Sequence, residues 1–352
     1  MGNPSYYRSA LVAIAGLILA LSRCEQAVAL KARPPAATSS TASPCSAGGH
    51  PTLQVLGSSG PLNAGGRAST SYLFWLSGRP AIIIDIGPGS TTNLIRAGAN
   101  PADLDAILLT HLHPDHVSDL PGLLWDEDIL NRNRPLIVVG PSGNDHFPDT
   151  KTFLERLFGR AGAFPVLQEV MNPRASFHLD VQVFNVVPVQ ATRVTTIHGV
   201  EISAYAVPHG GAPSLAYRVD GIGFSAVIGS DQSGADPGFA SFARNADVLV
   251  LHTALSPSAA DHPFVKVIGL PQTLGKLAAS AGVKRVVLSH LMAFPSTDPS
   301  AHSFSLSNPK AVLDAVRSTY GGDVSMAYDL ECIAFDRARN RALTPASGRS
   351  ED

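Results

Sequence analysis

From Leu53 onward the chain is a succession of short apolar runs cut by Gly and Pro: LQVLG, SYLFWL, AIIIDIG, AILLTH, LIVVG, VQVFNVV, EISAYAV, LAYRV, FSAVIGSD, VLVLH and VVLSH. Such runs, rich in Val, Ile and Leu, read as strands, and those without polar alternation read as strands covered on both faces. Between them, residues 119–130, 150–158, 270–281 and 308–319 read as helices, the last with Asn308 as N-cap and Pro309 in its first turn. Strands interleaved with helices predict an α/β domain. MAYDLECIAF reads as one final strand. No internal repeat and no Pro/Ser-rich break interrupts residues 51–340, which read as a single domain followed by a tail over 341–352.

Four of the apolar runs stop on an ionisable side chain. Ile84 is followed by Asp85, Thr110 by His111, Leu251 by His252 and Ser289 by His290. In α/β domains ligands gather at the carboxyl ends of strands, so four strands delivering Asp or His to one rim predict a metal-type site. The densest signal is THLHPDH, which packs His111, His113, Asp115 and His116 into six residues. One histidine alone is commonly a surface or hydrogen-bonded residue. Three imidazoles and a carboxylate directly after a buried strand would be costly to desolvate without a cation.

This H-x-H-x-D-H string, with Asp85 upstream in IIIDIGPG, resembles the metallo-β-lactamase superfamily, over roughly residues 52 to 336. The resemblance implies a four-layer αββα sandwich. His209 in AVPHGGAPSLAYRV, Asp231 in FSAVIGSDQSG and His290 in VVLSHLM match the family's remaining ligand positions. By the same resemblance His111, His113 and His209 hold a first metal, Asp115, His116 and His290 a second, and Asp231 bridges both. Mixed imidazole and carboxylate ligation suits two zinc ions best, with manganese or iron as alternatives. Asp85 is placed either to accept an imidazole N–H and orient a ligand or to cap the GPGS turn. A pair of ions sharing one water lowers its pKa and clamps the oxygens of an ester, which makes the reaction a hydrolysis.

Within the superfamily, LGSSGPLNAGGRASTSYLFW, IDIGPGS, THLHPDH, VVGPSG, PHGGAPSLAYRV and GSDQ look most like the ribonuclease Z and arylsulfatase-like phosphodiesterase branch. Two departures argue against tRNA processing. The tRNA enzymes carry a basic arm between the positions of His209 and Asp231, where this chain has only 21 residues, and a His-Glu-Ala-Thr stretch where it has His252-Thr253-Ala254-Leu255. The expectation is therefore a small anionic ester, a phosphodiester or an aryl sulfate, with no nucleic-acid partner. A lactonase or other carboxyl-ester hydrolase is the second enzymatic reading, a ribonuclease Z-type nuclease the third, and a non-catalytic binding protein the last. His113-Pro114-Asp115-His116 departs from the His-Leu-Asp-His usual in the family's cyclic-nucleotide phosphodiesterases. Asp115 counts as catalytic as well as ligating. With the family glutamate absent, a histidine must protonate the leaving group: His252 first, His262 in reserve. The other reading of His252 is a strand-end imidazole hydrogen-bonded within the core.

Composition adds the compartment. Arg8, the apolar run 10–21 and Ala27-Val28-Ala29 read as a signal peptide over residues 1–29, too short for a stable membrane anchor, followed by a flexible leader over 30–50. Its removal predicts an exported, periplasmic or secreted protein with 24 basic and 27 acidic residues, a balance that does not suggest a nucleic-acid ligand. Cys24 leaves with the peptide, so Cys45 and Cys332 are either a disulfide tying the leader to the last strand or two buried thiols. A homodimer is left open. His146, His178, His198 and His302 carry no spacing signal, Trp75 and Trp125 read as core, and segments 125–135 and 256–268 are candidates for the pocket wall.

Overall fold

The computed structural model describes residues 45–62, 66–186, 190–292 and 309–335. The expected signal peptide, Cys24, the Asn308 cap, His302 and the tail over 341–352 lie outside the described residues, as does the first part of the leader.

Among the described residues, two seven-stranded sheets stack face to face with helices on their outer sides, the four-layer αββα sandwich that the resemblance implies. The first sheet runs β1 (Thr52–Gly57), β2 (Ser71–Leu76), β3 (Arg79–Ile84), β4 (Ala106–Leu108), β5 (Leu136–Pro141), β6 (Leu179–Phe184). In the second, β7 (Thr192–Ile197), β8 (Val200–Ala206), β9 (Leu215–Gly221), β10 (Phe224–Ile228), β11 (Val248–His252), β12 (Arg285–Ser289) and β13 (Asp323–Met326) lie side by side in sequence order. β14 (Cys332–Ala334) returns to the first sheet and pairs antiparallel with β1.

The side-chain period of two sorts each strand between the layers. In β2, Tyr72, Phe74 and Leu76 enter the core between the sheets, whereas Leu73 and Trp75 pack towards the helices. In β11, Val248 and Val250 face the inter-sheet core and Leu249 and Leu251 the outer helices. Both faces are apolar because both are covered, which is why these runs show no alternation in the sequence.

Three details differ from expectation. MAYDLECIAF is two strand segments in two sheets, because Met326 ends β13 and the chain turns before Cys332. Asp329 holds that turn by accepting hydrogen bonds from Ser58 N (3.0 Å), Ala68 N (2.7 Å) and Asn93 Nδ2 (3.0 Å). The polar strand β7, TRVTTI, carries no long apolar run, since it is an edge strand with much of its length in solvent. Trp125 stands 41% exposed on the helix Leu120–Ile129, whereas Trp75 is core and donates to Gln54 Oε1.

The end of the leader is fixed. Cys45 is fully buried and forms a disulfide with Cys332, with Cα atoms 5.4 Å apart and 287 positions between them in sequence. Closing so long a loop removes much of the unfolded chain's entropy, an effect the chain-entropy model puts at about 6 kcal/mol before native strain. Cys332→Ser is expected to lower the unfolding free energy by up to that amount in denaturant titration. Peptide mapping of unreduced protein without a Cys45–Cys332 link would show the bridge to be absent.

Candidate metal centre

The ligand-type residues sit at strand ends on the same rim of the sandwich, and the backbone there is bent to aim them. Asp85 follows β3 and His290 follows β12, both with left-handed backbone (φ 58° and 61°), and Ser230, just before Asp231, is the same (φ 60°). Non-glycine residues in this region cost of order 1–3 kcal/mol, a strain the surrounding sheet ends must sustain. His111 to His116 leave β4 through a short segment, and Pro114 starts the helical turn Pro114–Val117 that carries Asp115 and His116. Gly60 lies against the His290 ring so closely that a Cβ there would come within 2.5 Å of Cε1.

The side chains converge in two groups around one carboxylate oxygen. In the first, His111 Nε2 lies 3.0 Å from His113 Nδ1, which lies 3.3 Å from His209 Nε2. Asp231 Oδ2 is 3.6 Å from His209 Nε2 and 4.0 Å from His111 Nε2. In the second, Asp115 Oδ2 is 3.1 Å from His290 Nε2 and 3.4 Å from His116 Nε2. The same Asp231 Oδ2 is 3.3 Å from His290 Nε2 and 3.7 Å from His116 Nε2. Four donors bound at zinc distances around a tetrahedral ion are separated by about 3.3 Å, so both groups have the spacing of a metal shell.

The hydrogen bonds behind the ligands fit a metal as well. His116 Nδ1 is 2.8 Å from Asp85 Oδ2, His111 Nδ1 is 3.0 Å from Thr110 Oγ1, and His209 Nδ1 is 3.1 Å from the carbonyl of Val267. Asp85 also accepts from Thr110 N (2.7 Å) and Thr110 Oγ1 (2.8 Å), so it orients His116, one of its two expected roles. With Nδ1 donating outward, each imidazole turns a lone pair inward. His116 Nε2 is buried with no hydrogen-bond partner, which fits a nitrogen placed to ligate a cation.

Charge leads to the same conclusion. Burial pulls His116 down, but Asp85 and Asp115 outweigh it and hold the ring well above the ordinary histidine range. Burial likewise pushes Asp115 and Asp231 up, yet the surrounding imidazoles hold both well below the usual carboxylate range. His111, His113 and His209 are lowered, first by burial and then by neighbouring histidines for His111 and His113, and so favour the neutral, ligating form. The chain thus supplies candidate groups for binding a divalent metal.

The leaving-group histidines sit elsewhere. His252 is close enough to His116, Asp231 and His290 to be grouped with them, but both its ring nitrogens are engaged. Nδ1 lies 2.6 Å from Asp231 Oδ1 and Nε2 lies 2.9 Å from the hydroxyl of Tyr72. A carboxylate can only accept, so His252 Nδ1 donates to it and Nε2 accepts from Tyr72. His252 is 1% exposed and holds Oδ1 of Asp231, leaving Oδ2 to face the two ligand groups. Strand parity contains the signal: 248, 250 and 252 share the inter-sheet face, where Tyr72 also lies. His262 accepts from Phe264 N (3.2 Å), capping the turn Pro263–Lys266. Neither histidine lines the cavity beside Asp115, His209, Asp231 and His290. That cavity is walled by Phe264, Val267 and Ile268 from segment 256–268 and by no residue of 125–135.

Asp231→Ala is expected to lose metal from both groups, whereas Asp85→Ala and His252→Ala weaken retention roughly 10- to 100-fold without abolishing it. Metal analysis after dialysis against graded chelator checks this. Undiminished retention in His252→Ala would mean that Asp231 holds its orientation without that hydrogen bond.

A model of the metallo-beta-lactamase superfamily matches residues 64–218. Ribonuclease Z of Mycobacterium marinum is 28% identical over 252 residues, covering 68% of this chain and 85% of its own length. Ribonuclease BN of Cronobacter sakazakii is 25% identical over 246 residues, 59% of this chain and 77% of its own. Among solved structures, the human short-form tRNase Z superposes with a TM-score of 0.62 at 20% identity, over 81% of this chain and 99% of that one, a likeness of fold. The family model, the related ribonucleases and the shared sandwich agree in likening this chain to the metallo-beta-lactamase superfamily, whose fold it has.

Proposed function

We propose that this protein hydrolyses phosphodiester bonds in RNA, with two divalent ions, zinc by donor chemistry, held at His111, His113 and His209 and at Asp115, His116 and His290, sharing Asp231. The observation that carries the reading is the convergence of both groups on Asp231 Oδ2 at the edge of an open cavity. The related ribonucleases Z and BN support RNA as the substrate. They overturn the expectation of an enzyme for small phosphate or sulfate esters with no nucleic-acid partner. The basic arm is indeed missing, since β9 and β10 are joined by the tight turn Ile222-Gly223. Its loss removes one means of gripping RNA and leaves the chemistry of the centre untouched. Net charge, −2 over the whole chain, is a sum over the surface and says little about the field at one rim.

Ions bound at this centre supply an acidified water and neutralise charge on the phosphate. The chain's own residues supply orientation and proton transfer. Among the described residues, Asp115 and Asp231 are the carboxylates lining the cavity, and Asp231 is committed to His252 through Oδ1. Asp115 therefore takes the proton of the attacking water as its oxygen bonds to phosphorus. The bond to the departing ribose oxygen then breaks, and that oxygen takes a proton from solvent, since the histidines that line the cavity among the described residues are His113, His209 and His290, all proposed ligands.

Metal-loaded protein is expected to cleave RNA, to lose activity to a chelator and to regain it with added zinc or manganese. Asp115→Ala is expected to lower kcat roughly 10²- to 10⁴-fold. Turnover of nitrophenyl sulfate by a metal-replete preparation that leaves every RNA intact would sink the reading.

A further inference from the structure

Three of the candidate ligand imidazoles have one ring nitrogen held from outside the centre by a hydrogen bond: His116 by Asp85, His111 by Thr110 and His209 by the Val267 carbonyl. His290 is held differently. Its Nε2 faces Asp115 Oδ2 at 3.1 Å and Asp231 Oδ2 at 3.3 Å, while Nδ1 is buried with no hydrogen-bond partner. The ring stacks on His252, with centroids 4.9 Å apart and planes 15° from parallel. The part of the ring carrying both nitrogens lies against Gly60, where an added Cβ would stand 2.5 Å from Cε1, 2.6 Å from Nδ1 and 3.0 Å from Nε2. The space of a methyl group is thus already filled by the ligand ring, a close approach that glycine alone permits.

Gly60 belongs to a strap that joins the two sheets. Residues 58–60 continue from β1 of the first sheet and run beside Leu291, which follows His290 at the end of β12 in the second. Leu291 N donates to the Ser58 carbonyl at 3.0 Å, and Gly60 N donates to the Leu291 carbonyl at 3.1 Å. Asp329 pins the near end of the strap. Its Oδ1 accepts from Ser58 N at 3.0 Å and from Ser58 Oγ at 2.7 Å, and its Oδ2 accepts from Ala68 N at 2.7 Å and Asn93 Nδ2 at 3.0 Å. Hydrogen bonds to a carboxylate are among the stronger ones, and four on one side chain leave Ser58 little room to shift.

Resting on the assignment of Asp115, His116 and His290 to one ion, we propose that Gly60 and Asp329 are positioning residues for that ion alone: Asp329 fixes the strap, and the bare backbone of Gly60 sets where the His290 ring lies, so that Nε2 meets the ion. Asp329 does for His290 through the strap what Asp85 does for His116 by direct hydrogen bond. The other ligand group takes its orientation from different elements. His111 and His209 are held by Thr110 and Val267, and the shared Asp231 is held by His252. Disturbing the strap therefore loosens one ion of the pair and spares the other, because a ligand loses its geometry when the residues that support it move.

The test measures zinc per chain on the full chain, equilibrated with zinc buffered by graded chelator. Wild-type protein is expected to hold two ions. Gly60→Ala and Asp329→Ala are each expected to release one of them at free zinc roughly 10- to 100-fold above the wild-type value and to hold the other as the wild type does. Asp329→Asn, which keeps the shape of the side chain, is expected to loosen the same ion by a smaller factor, and it stands in if Asp329→Ala does not fold. In a His290→Ala background, Gly60→Ala and Asp329→Asn are expected to change zinc retention by less than about 2-fold, because the ring they position is gone. Joint loss of both ions, unchanged retention in either single variant, or an undiminished effect in the His290→Ala background would overturn the inference while leaving the two-ion centre standing. Wild-type protein that holds fewer than two ions would overturn the two-ion reading, and the inference with it.

Discussion

One carboxylate oxygen holds the functional part of the molecule together. Asp231 Oδ2 lies within 4.0 Å of four imidazole nitrogens drawn from both ligand groups, and its other oxygen is held by His252. So many ionisable groups, nearly all shielded from water, would repel or remain unsatisfied unless a cation balanced them. The surrounding fold reads as the means of sustaining that arrangement. Left-handed backbone at Asp85, Ser230 and His290 turns side chains inward, and Thr110, Asp85 and the Val267 carbonyl hold the outer ring nitrogens.

Stacked sheets make this possible because strand ends from both arrive at the same rim. β3 and β4 of one sheet and β10, β11 and β12 of the other all run into the centre, and their parallel pairings keep those ends level. The inter-sheet core continues directly beneath it, with Tyr72 from one sheet meeting His252 from the other across the layer. The hydrogen-bonded path from Tyr72 through His252 to Asp231 is thus where packing of the sandwich becomes geometry of the metal site. Displacing either sheet would rotate the shared carboxylate.

Chemistry and substrate choice sit on different parts of the structure. The ligand constellation defines hydrolysis at a charged centre and is indifferent to what the leaving group carries. The wall beside it is of a different kind: among the described residues, Leu255, Phe264, Val267, Ile268 and Met292 give it an apolar surface. Arguments from net charge and from a missing arm address how RNA would be gripped at a distance, which is why they could point away from RNA while the related ribonucleases point towards it.

The local pattern was enough to place most of the strands, because runs such as SYLFWL and VLVLH are buried on both faces, and to find His111, His113, Asp115 and His116, because they crowd into six residues. The other ligands, His209, Asp231 and His290, were found by resemblance, since their spacing in sequence says nothing of their distance in space. What only the tertiary structure decided is which atoms meet. It split MAYDLECIAF between two sheets, joined Cys45 to Cys332 across 287 positions, and turned His252 away from the cavity into the support of Asp231. Each of these depends on contacts between segments far apart in the chain, and a one-dimensional pattern records the local period of a segment but not the partner that will cover its faces.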